Sequence, residues 1–174
     1  MCCDSGSSDK KHPGVVHLIG ASDSGKTTLI ERLIPRLRAK GIRVGTVKHA
    51  HHGFETDQPG KDSWRHAQAG SEAVAVISPE RAAWVIRTPE ELSVDLALEP
   101  MAGRVDLVLV EGFKGDGVHP AIRLEPSPRE RLEIGTGGVC RVGVHPGTLL
   151  PDELEQITTF CVSVLREGEP CRQP

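Results

Sequence analysis

The strongest constraint on the fold is a glycine-bearing segment that joins an apolar run to an amphipathic one. The run "VVHLIG" is short, rich in β-branched residues and closes on glycine, which predicts a buried strand. The next run, "GKTTLIERLIPRLRAKG", carries leucines at helical spacing, namely Leu29, Leu33 and Leu37. Lys40 and Gly41 then supply a C-terminal stop signal. A strand, a glycine-bearing bend and a helix in immediate succession predict the first unit of an α/β domain.

The rest of the chain continues the alternation of strands and helices. Further strands are predicted at "IRVGTVKH", "AVAVIS", "AAWVIRT", "VDLVLVEG", "HPAIRLEP" and "VCRVGVHP". Helices are predicted at "GKDSWRHAQAG", at "PEELSVDLALEPMAG" with Pro89 in its first turn, and at "PDELEQITTFCVSVLREG". The segment "SPRERLEIGTGG" is predicted to be a polar loop. This order predicts an α/β fold with a mostly parallel twisted sheet flanked by helices.

Composition and charge are those of an ordinary globular domain. The 174 residues are predicted to form a flexible N-terminal tail (1–13), a single α/β domain (14–168) and a C-terminal tail (169–174). The formal net charge of −3 argues against a nucleic acid or a membrane surface as partner. No apolar run approaches the ~18 residues of a membrane span, and the polar start lacks the apolar segment of a signal peptide. With five cysteines and no CxxC pair, we expect a reduced, cytoplasmic protein.

The segment "GASDSGKTT" fits the pattern G-x-x-x-x-G-K-[ST], in which each fixed position has a physical task. The glycines let the backbone turn tightly, so that successive N–H groups and the following helix N-terminus face a polyphosphate. Lys26 then reaches the β- and γ-phosphates, and the Thr27 hydroxyl binds Mg²⁺. The alternative is a Gly/Ser-rich turn that carries Lys-Thr by chance. The nucleotide-binding residues predicted in this loop are Gly20, Ala21, Ser22, Asp23, Ser24, Gly25, Lys26, Thr27 and Thr28.

A site of this kind needs a second carboxylate near the metal, at the carboxyl end of a neighbouring strand. Asp106 enters the strand "LVLV" and Glu111 leaves it, on the phosphate-loop side of a P-loop NTPase-like sheet. Glu111 is therefore the predicted partner of the metal or of its water. The alternative is a polar turn in which Glu111 is only solvated. Lys114, just beyond, is either a further cation near the phosphates or an exposed turn lysine.

The histidine-rich segment "VKHAHHGFETDQPGKDSWRH" begins where a second parallel strand ends, again on the phosphate-loop side. Lys48 and Lys61 are predicted to contact phosphate. Asp57 is predicted to bind Mg²⁺ through water or to orient an attacking water. His49, which is placed at the nucleotide, and His51 and His52 are predicted to take part in acid–base work or to accept metal. The alternatives are an ordinary polar loop and a dedicated metal site. No nearby cysteine completes a zinc site.

Three segments in this order and spacing closely resemble the molybdopterin-guanine dinucleotide biosynthesis protein B family, MobB. They are "GASDSGKTTL", "VKHAHHGFETDQPGKDSWRHAQAGS" and "VLVEGFK". The resemblance runs from about Val15 to Lys114, and more loosely through "HPAIRLE". The middle motif, a basic-histidine cluster followed by D-x-P-G-K-D-S, is long and unusual, which makes the resemblance specific.

The resemblance implies a protein that binds GTP and Mg²⁺ and hydrolyses GTP weakly, with Gly20–Thr28 at the phosphates and Glu111 as the strand-end carboxylate. It also implies that the segment 49–65 lies near the nucleotide or the cofactor. From the residues themselves, Lys26, Asp57 and Glu111 are the predicted catalytic groups. Thr27, Asp57 and Glu111 would serve the metal. The resemblance further implies an adapter, typically a homodimer, beside the nucleotidyltransferase MobA, which joins GMP to molybdopterin to make the guanine dinucleotide cofactor. Because the chain has no asparagine and no T-K-x-D element, guanine preference rests on the resemblance alone. The competing interpretations are a small-molecule kinase with Asp57 as base, and a non-catalytic scaffold shaped by nucleotide.

Overall fold

The structure, a computed structural model, describes residues 12–50, 53–55, 57–113, 118–126, 132–134, 139–144 and 151–167. These residues form eight strands and four helices. The strands are β1 (Gly14–Ile19), β2 (Val44–Lys48), β3 (Ala73–Ile77), β4 (Ala82–Ile86), β5 (Leu107–Glu111), β6 (Ala121–Pro126), β7 (Leu132–Ile134) and β8 (Val139–Val144). The helices are α1 (Lys26–Ala39), α2 (Asp62–Gln68), α3 (Val94–Leu98) and α4 (Pro151–Glu167), and a short 3₁₀ turn at Glu99–Met101 follows α3.

Six of the strands form one sheet in the order β2-β5-β1-β6-β8-β7. Every neighbouring pair in it is parallel except β7 with β8, which is antiparallel. The predicted fold class, an α/β domain of P-loop NTPase type with a mostly parallel sheet flanked by helices, is confirmed. Because parallel strands point the same way, the carboxyl ends of β1, β2 and β5 meet at one edge, where ligands bind in such sheets.

One face of this sheet packs against α1 and α4. The strands bury alternate residues on that face, as the period-two alternation of side chains requires, and the helices contribute leucines and isoleucines at helical spacing. The core consists of Val16, Leu18, Leu29, Ile30, Leu33, Leu37, Leu107, Leu109, Ile122, Leu124, Cys140, Leu154, Ile157, Phe160, Cys161 and Val164. The packed helix α1 and strand β1 therefore hold the bend between them on a rigid base.

An ion pair at the amino edge of the sheet fixes how β2 lies on β5. Arg43 Nη2 lies 2.6 Å from Asp106 Oδ1, and the backbone N–H of Arg43 donates to Oδ2 at 2.8 Å. The hydrogen bonds that Arg43 donates to the Asp106 carboxylate, and the charge of that carboxylate, raise the pKa of Arg43 above its usual value. The resulting register places Lys48 opposite Glu111. The register that this ion pair stabilises thus aligns Lys48 and Glu111 at the carboxyl ends of β2 and β5.

Two elements differ from the sequence prediction. The helix expected from Pro89 begins only at Val94, because the Ser93 hydroxyl accepts a hydrogen bond from Leu96 N at 3.3 Å and caps the helix there. The predicted polar loop "SPRERLEIGTGG" contains β7, which pairs with β8. Its alternation of apolar and charged residues spans only Leu132–Ile134, too short a pattern to distinguish from a loop.

The described residues fall into two compact units, separated at positions 49–50 and 96–97. The first holds the six-stranded sheet with α1 and α4, and the second, residues 50–96, holds α2 and the antiparallel pair β3–β4. The single domain expected over residues 14–168 stays a prediction, since compactness alone does not say whether the units fold independently. Within the described ranges, each helix falls short of the length or apolarity needed to span a bilayer.

Candidate functional site

The bend between β1 and α1 has the backbone conformation of an anion cradle. Two of its residues have the left-handed backbone conformation, namely Asp23 with φ 57° and Gly25 with φ 87°. Left-handed residues in such a bend turn successive N–H groups toward one side, where they attract an anion. The Leu29 N–H donates to the Gly25 carbonyl at 2.9 Å, so the helix begins immediately after the bend. The bend and the positive end of the helix dipole therefore favour the same ligand, a phosphate chain.

Gly20 is required where the bend leaves the sheet, because it lies against β6. A Cβ added there would come within 2.6 Å of Ser24 Oγ and 2.9 Å of the Leu124 carbonyl oxygen. The hydroxyl can rotate away, but the carbonyl belongs to the backbone of a paired strand and cannot. Glycine is thus required at position 20 because the backbone passes close to β6, and it is favoured at position 25 because φ there is positive.

The Lys26 side chain folds back across the bend. Its Nζ donates to the Gly20 carbonyl oxygen at 3.0 Å, to Ser24 Oγ at 3.3 Å and, at short range, to the Ala21 carbonyl oxygen. The ammonium therefore lies among loop atoms and brings a positive charge to the anion cradle. This position suits the task that the motif assigns to the lysine, which is to reach the outer phosphates.

Thr27 and Glu111 meet although 84 positions separate them in the chain. The Thr27 hydroxyl donates to Glu111 Oε1 at 2.8 Å, and Lys48 Nζ lies 3.9 Å from the same oxygen. The Glu111 side chain is only 13% exposed. Its strand pairs with both β1 and β2, which brings the three residues to one edge. A hydroxyl and a carboxylate side by side are oxygen ligands of the kind that Mg²⁺ takes beside phosphates.

His49 is held at the same edge by backbone and ring contacts. Its N–H donates to the Glu111 carbonyl oxygen at 2.8 Å, and its ring stacks on Phe113 with centroids 4.3 Å apart. Gly112, which precedes Phe113 in the chain, has φ 100°, and a Cβ there would lie 2.9 Å from the His49 carbonyl oxygen. Sequence reasoning missed Gly112 and Phe113. The glycine directly after the strand, in "EGF", was the available signal, since it marks a left-handed turn or a close approach.

Asp57 and Lys61 belong to the second unit, and their place at the phosphates stays a prediction. Asp57 Oδ1 accepts a hydrogen bond from Gln58 N at 2.9 Å, and Lys61 directly precedes α2. Within the described ranges, no group of three or more His, Cys, Asp or Glu side chains converges on a point that could hold a metal ion. His51, His52 and Lys114 lie outside those ranges.

The greater part of the chain matches one known protein family. The family described as "Molybdopterin guanine dinucleotide synthesis protein B" (MobB) matches residues 15–131, which is more than half of the chain. The chain belongs to the MobB family. This result confirms the resemblance read from the three motifs, and the matched region contains every residue of the candidate site.

Relatives of known name agree with membership of the MobB family. A molybdopterin-guanine dinucleotide biosynthesis adapter protein of Haemophilus influenzae is 49% identical over 58% of this chain and 57% of its own length. The Escherichia coli protein of the same name is 45% identical over 64% of this chain and 66% of its own length. The chain therefore matches less than two thirds of either relative. A crystal structure titled molybdopterin-guanine biosynthesis protein B (mobB) superposes with a TM-score of 0.62 at 32% identity, covering 87% of this chain and 99% of that one.

Proposed function

We propose that this chain is a GTP-binding adapter of molybdenum cofactor biosynthesis. In this role it assists a MobA-type nucleotidyltransferase in attaching GMP to molybdopterin, and it contacts molybdopterin or its guanine dinucleotide. Membership of the MobB family and the adapter names of the two relatives support the role. A biosynthetic adapter with a net charge of −3 is further expected to act in the cytoplasm, away from membranes and nucleic acid.

The observation that carries the proposal is the meeting of Lys26, Thr27 and Glu111 around a left-handed bend. The bend supplies backbone donors for a triphosphate, and Lys26 supplies a cation. Thr27 and Glu111 supply adjacent oxygens that suit Mg²⁺. Lys48 adds a second positive charge near the carboxylate. The residues of this edge therefore fit a Mg²⁺–nucleotide complex, and membership of the MobB family supports the proposal of guanine as the base.

Hydrolysis in this proposal is in-line attack of water on the γ-phosphate, with the bond to the bridging oxygen breaking as GDP leaves. Lys26 and the N–H groups of the bend stabilise the negative charge that develops on the phosphate oxygens. Asp57 orients the attacking water. When bound, Mg²⁺ neutralises charge on the β- and γ-phosphate oxygens. The bend carries no arginine, so turnover without a partner is expected to be slow.

The second unit supports a homodimer as the working state. Side chains of Ile77, Trp84 and Ile86 share one face of the β3–β4 pair and are 75%, 61% and 63% exposed. A two-stranded ribbon is marginally stable in water by itself, and an apolar face of this kind is stabilised by burial. We propose a second copy of this chain as its occupant. Trp84→Ser is then expected to shift sedimentation from dimer to monomer; an unchanged dimer would remove this face from the contact.

The test of the adapter role is formation of guanine dinucleotide cofactor by a MobA-type transferase, with and without this chain. Lys26→Ala removes the ammonium from the bend and is expected to abolish stimulation that depends on GTP. Lys40→Ala is the matched control, because it removes a lysine at the far end of α1 and only a surface ion pair to Glu155. If Lys26→Ala and Lys40→Ala stimulate the transferase equally, the chain acts as a scaffold that needs no nucleotide. No stimulation by the wild-type chain would reject the adapter role.

A further inference from the structure

Asp23, in the middle of the phosphate loop, combines a rare backbone conformation with an unexpected charge. With φ 57° it is the one non-glycine residue in the described ranges whose φ is positive. Aspartate tolerates this conformation better than most residues, because its short polar side chain can hydrogen-bond locally, but glycine adopts it without steric cost. The geometry therefore accounts for a short side chain at this position. It does not account for a negative one, since glycine or asparagine satisfies the same backbone.

The carboxylate of Asp23 opposes the other features of the bend. The N–H groups, the helix dipole and the Lys26 ammonium all attract an anion. Asp23 is exposed, and no lysine, arginine or histidine in the described part of the same unit forms an ion pair with it. Its charge is thus not neutralised by an ion pair within that part of the chain. A carboxylate and a polyphosphate in one short loop lie within the ~8–10 Å over which salt leaves charges interacting, and they repel.

Resting on the proposed nucleotide function, we propose that Asp23 limits the affinity of the phosphate loop and speeds nucleotide release. Its backbone N–H takes part in the anion cradle while its carboxylate repels the ligand. The repulsion grows with ligand charge, so GTP is weakened more than GDP. A loop of this kind keeps its nucleotide exchangeable, and its occupancy follows the free GTP concentration instead of trapping one molecule. Asp23 is accordingly a residue that sets affinity and exchange, and it takes no part in bond breaking.

Two substitutions separate charge from backbone strain. Asp23→Asn removes the charge and keeps both the side-chain shape and the tolerance for left-handed φ. Asp23→Gly removes the charge and the strain together. Glu99→Gln is the matched control, because it removes one exposed carboxylate from the 3₁₀ turn between α3 and β5, outside the phosphate loop. Dissociation constants for GTP and GDP with Mg²⁺ are measured at low and at physiological salt. Release rates are measured with a fluorescent GTP analogue.

We expect Asp23→Asn to bind GTP about tenfold more tightly than the wild type, the size of one like-charge interaction across an exposed site. The gain is smaller for GDP, shrinks as salt rises, and is accompanied by slower release of the analogue. Asp23→Gly binds at least as tightly, and Glu99→Gln binds like the wild type. This pattern would establish the carboxylate as the limiting group.

Other results overturn the proposal. Unchanged GTP affinity in Asp23→Asn with tighter binding in Asp23→Gly would make strain the cause. Weaker, Mg²⁺-dependent binding in Asp23→Asn would place the carboxylate on the metal. Equal binding by the wild type and all variants removes only the role of Asp23, and the nucleotide function stands. If neither the wild type nor any variant binds nucleotide, the proposed function itself fails, and the role of Asp23 fails with it.

Discussion

Replacing Gly25 or Gly41 by alanine perturbs the same kind of backbone at the two ends of α1. Gly25 has φ 87° and Gly41 has φ 81°, and an added Cβ at either position would meet no atom within 4 Å. Only conformational strain is therefore introduced. A left-handed conformation costs an L-residue roughly 1–2 kcal/mol, and alanine recovers about 0.4–1 kcal/mol by restricting the unfolded chain. The net loss of stability is about 1 kcal/mol for each variant.

The two variants are expected to differ in nucleotide binding alone. A loss of about 1 kcal/mol lowers the Tm by roughly 2–4 °C in a chain of this length, and it does so for both. In Gly25→Ala the strained bend also moves its N–H groups away from the phosphates. Loss of one hydrogen bond to a charged group costs roughly 1.5–3 kcal/mol, which corresponds to a roughly 10- to 150-fold weaker GTP complex. Gly41→Ala leaves the bend, and hence GTP affinity, unchanged.

Thermal unfolding and GTP titration of the two variants, side by side, provide the assay. The reasoning is refuted if Gly25→Ala binds GTP like the wild type while its Tm falls, because the bend would then not hold the phosphates. It is also refuted if Gly41→Ala loses as much affinity as Gly25→Ala. Binding would in that case follow general stability and not the local conformation of the loop.

Three further predictions concern the strand-end residues and the buried thiols. Glu111→Gln keeps a hydrogen-bonding side chain but removes the charge, so Mg²⁺ affinity should fall roughly 10- to 100-fold while Mg²⁺-free GTP binding is retained; equal losses would remove Glu111 from the metal. Gly112→Ala places Cβ 2.9 Å from the His49 carbonyl oxygen at φ 100°, and urea denaturation should show roughly 2–4 kcal/mol less stability; a loss under about 0.5 kcal/mol would contradict this. Burial raises the pKa of Cys140 to about 11 and of Cys161 to about 12. Mass spectrometry after iodoacetamide treatment at pH 8 should find both thiols labelled only in unfolded protein, and fast labelling of native protein would refute their burial.

Local signals were strong enough to predict the parts of the fold that matter most for the site. The strand β1, the bend and α1 follow from an apolar run, two glycines and leucines at helical spacing, each of which acts within a few residues. The burial of β5 follows from its unbroken apolar run. The meeting of Thr27 and Glu111 then follows from parallel strand order, because carboxyl ends share one edge.

Other features depended on contacts that a sequence pattern does not record. The start of α3 is set by a Ser93 hydroxyl that competes with Pro89 as a helix start signal, and the two signals look alike before the fold is known. The strand β7 exists because β8 offers it an edge. The approach of Gly112 to the His49 carbonyl joins residues far apart in the chain. The roles of Asp57 and Lys61 remain predictions from motif and family.

Calorimetric titration of the wild-type chain with GTP, ATP and GDP, each with and without Mg²⁺, tests the central claim most directly. A bend that wraps its N–H groups around a nucleotide tail is expected to bind GTP and GDP, with GTP strengthened by Mg²⁺ through Thr27 and Glu111. Lys26→Ala is expected to abolish the heat of binding for both. Absence of binding to any of the three nucleotides, or binding that Lys26→Ala leaves intact, would contradict the account.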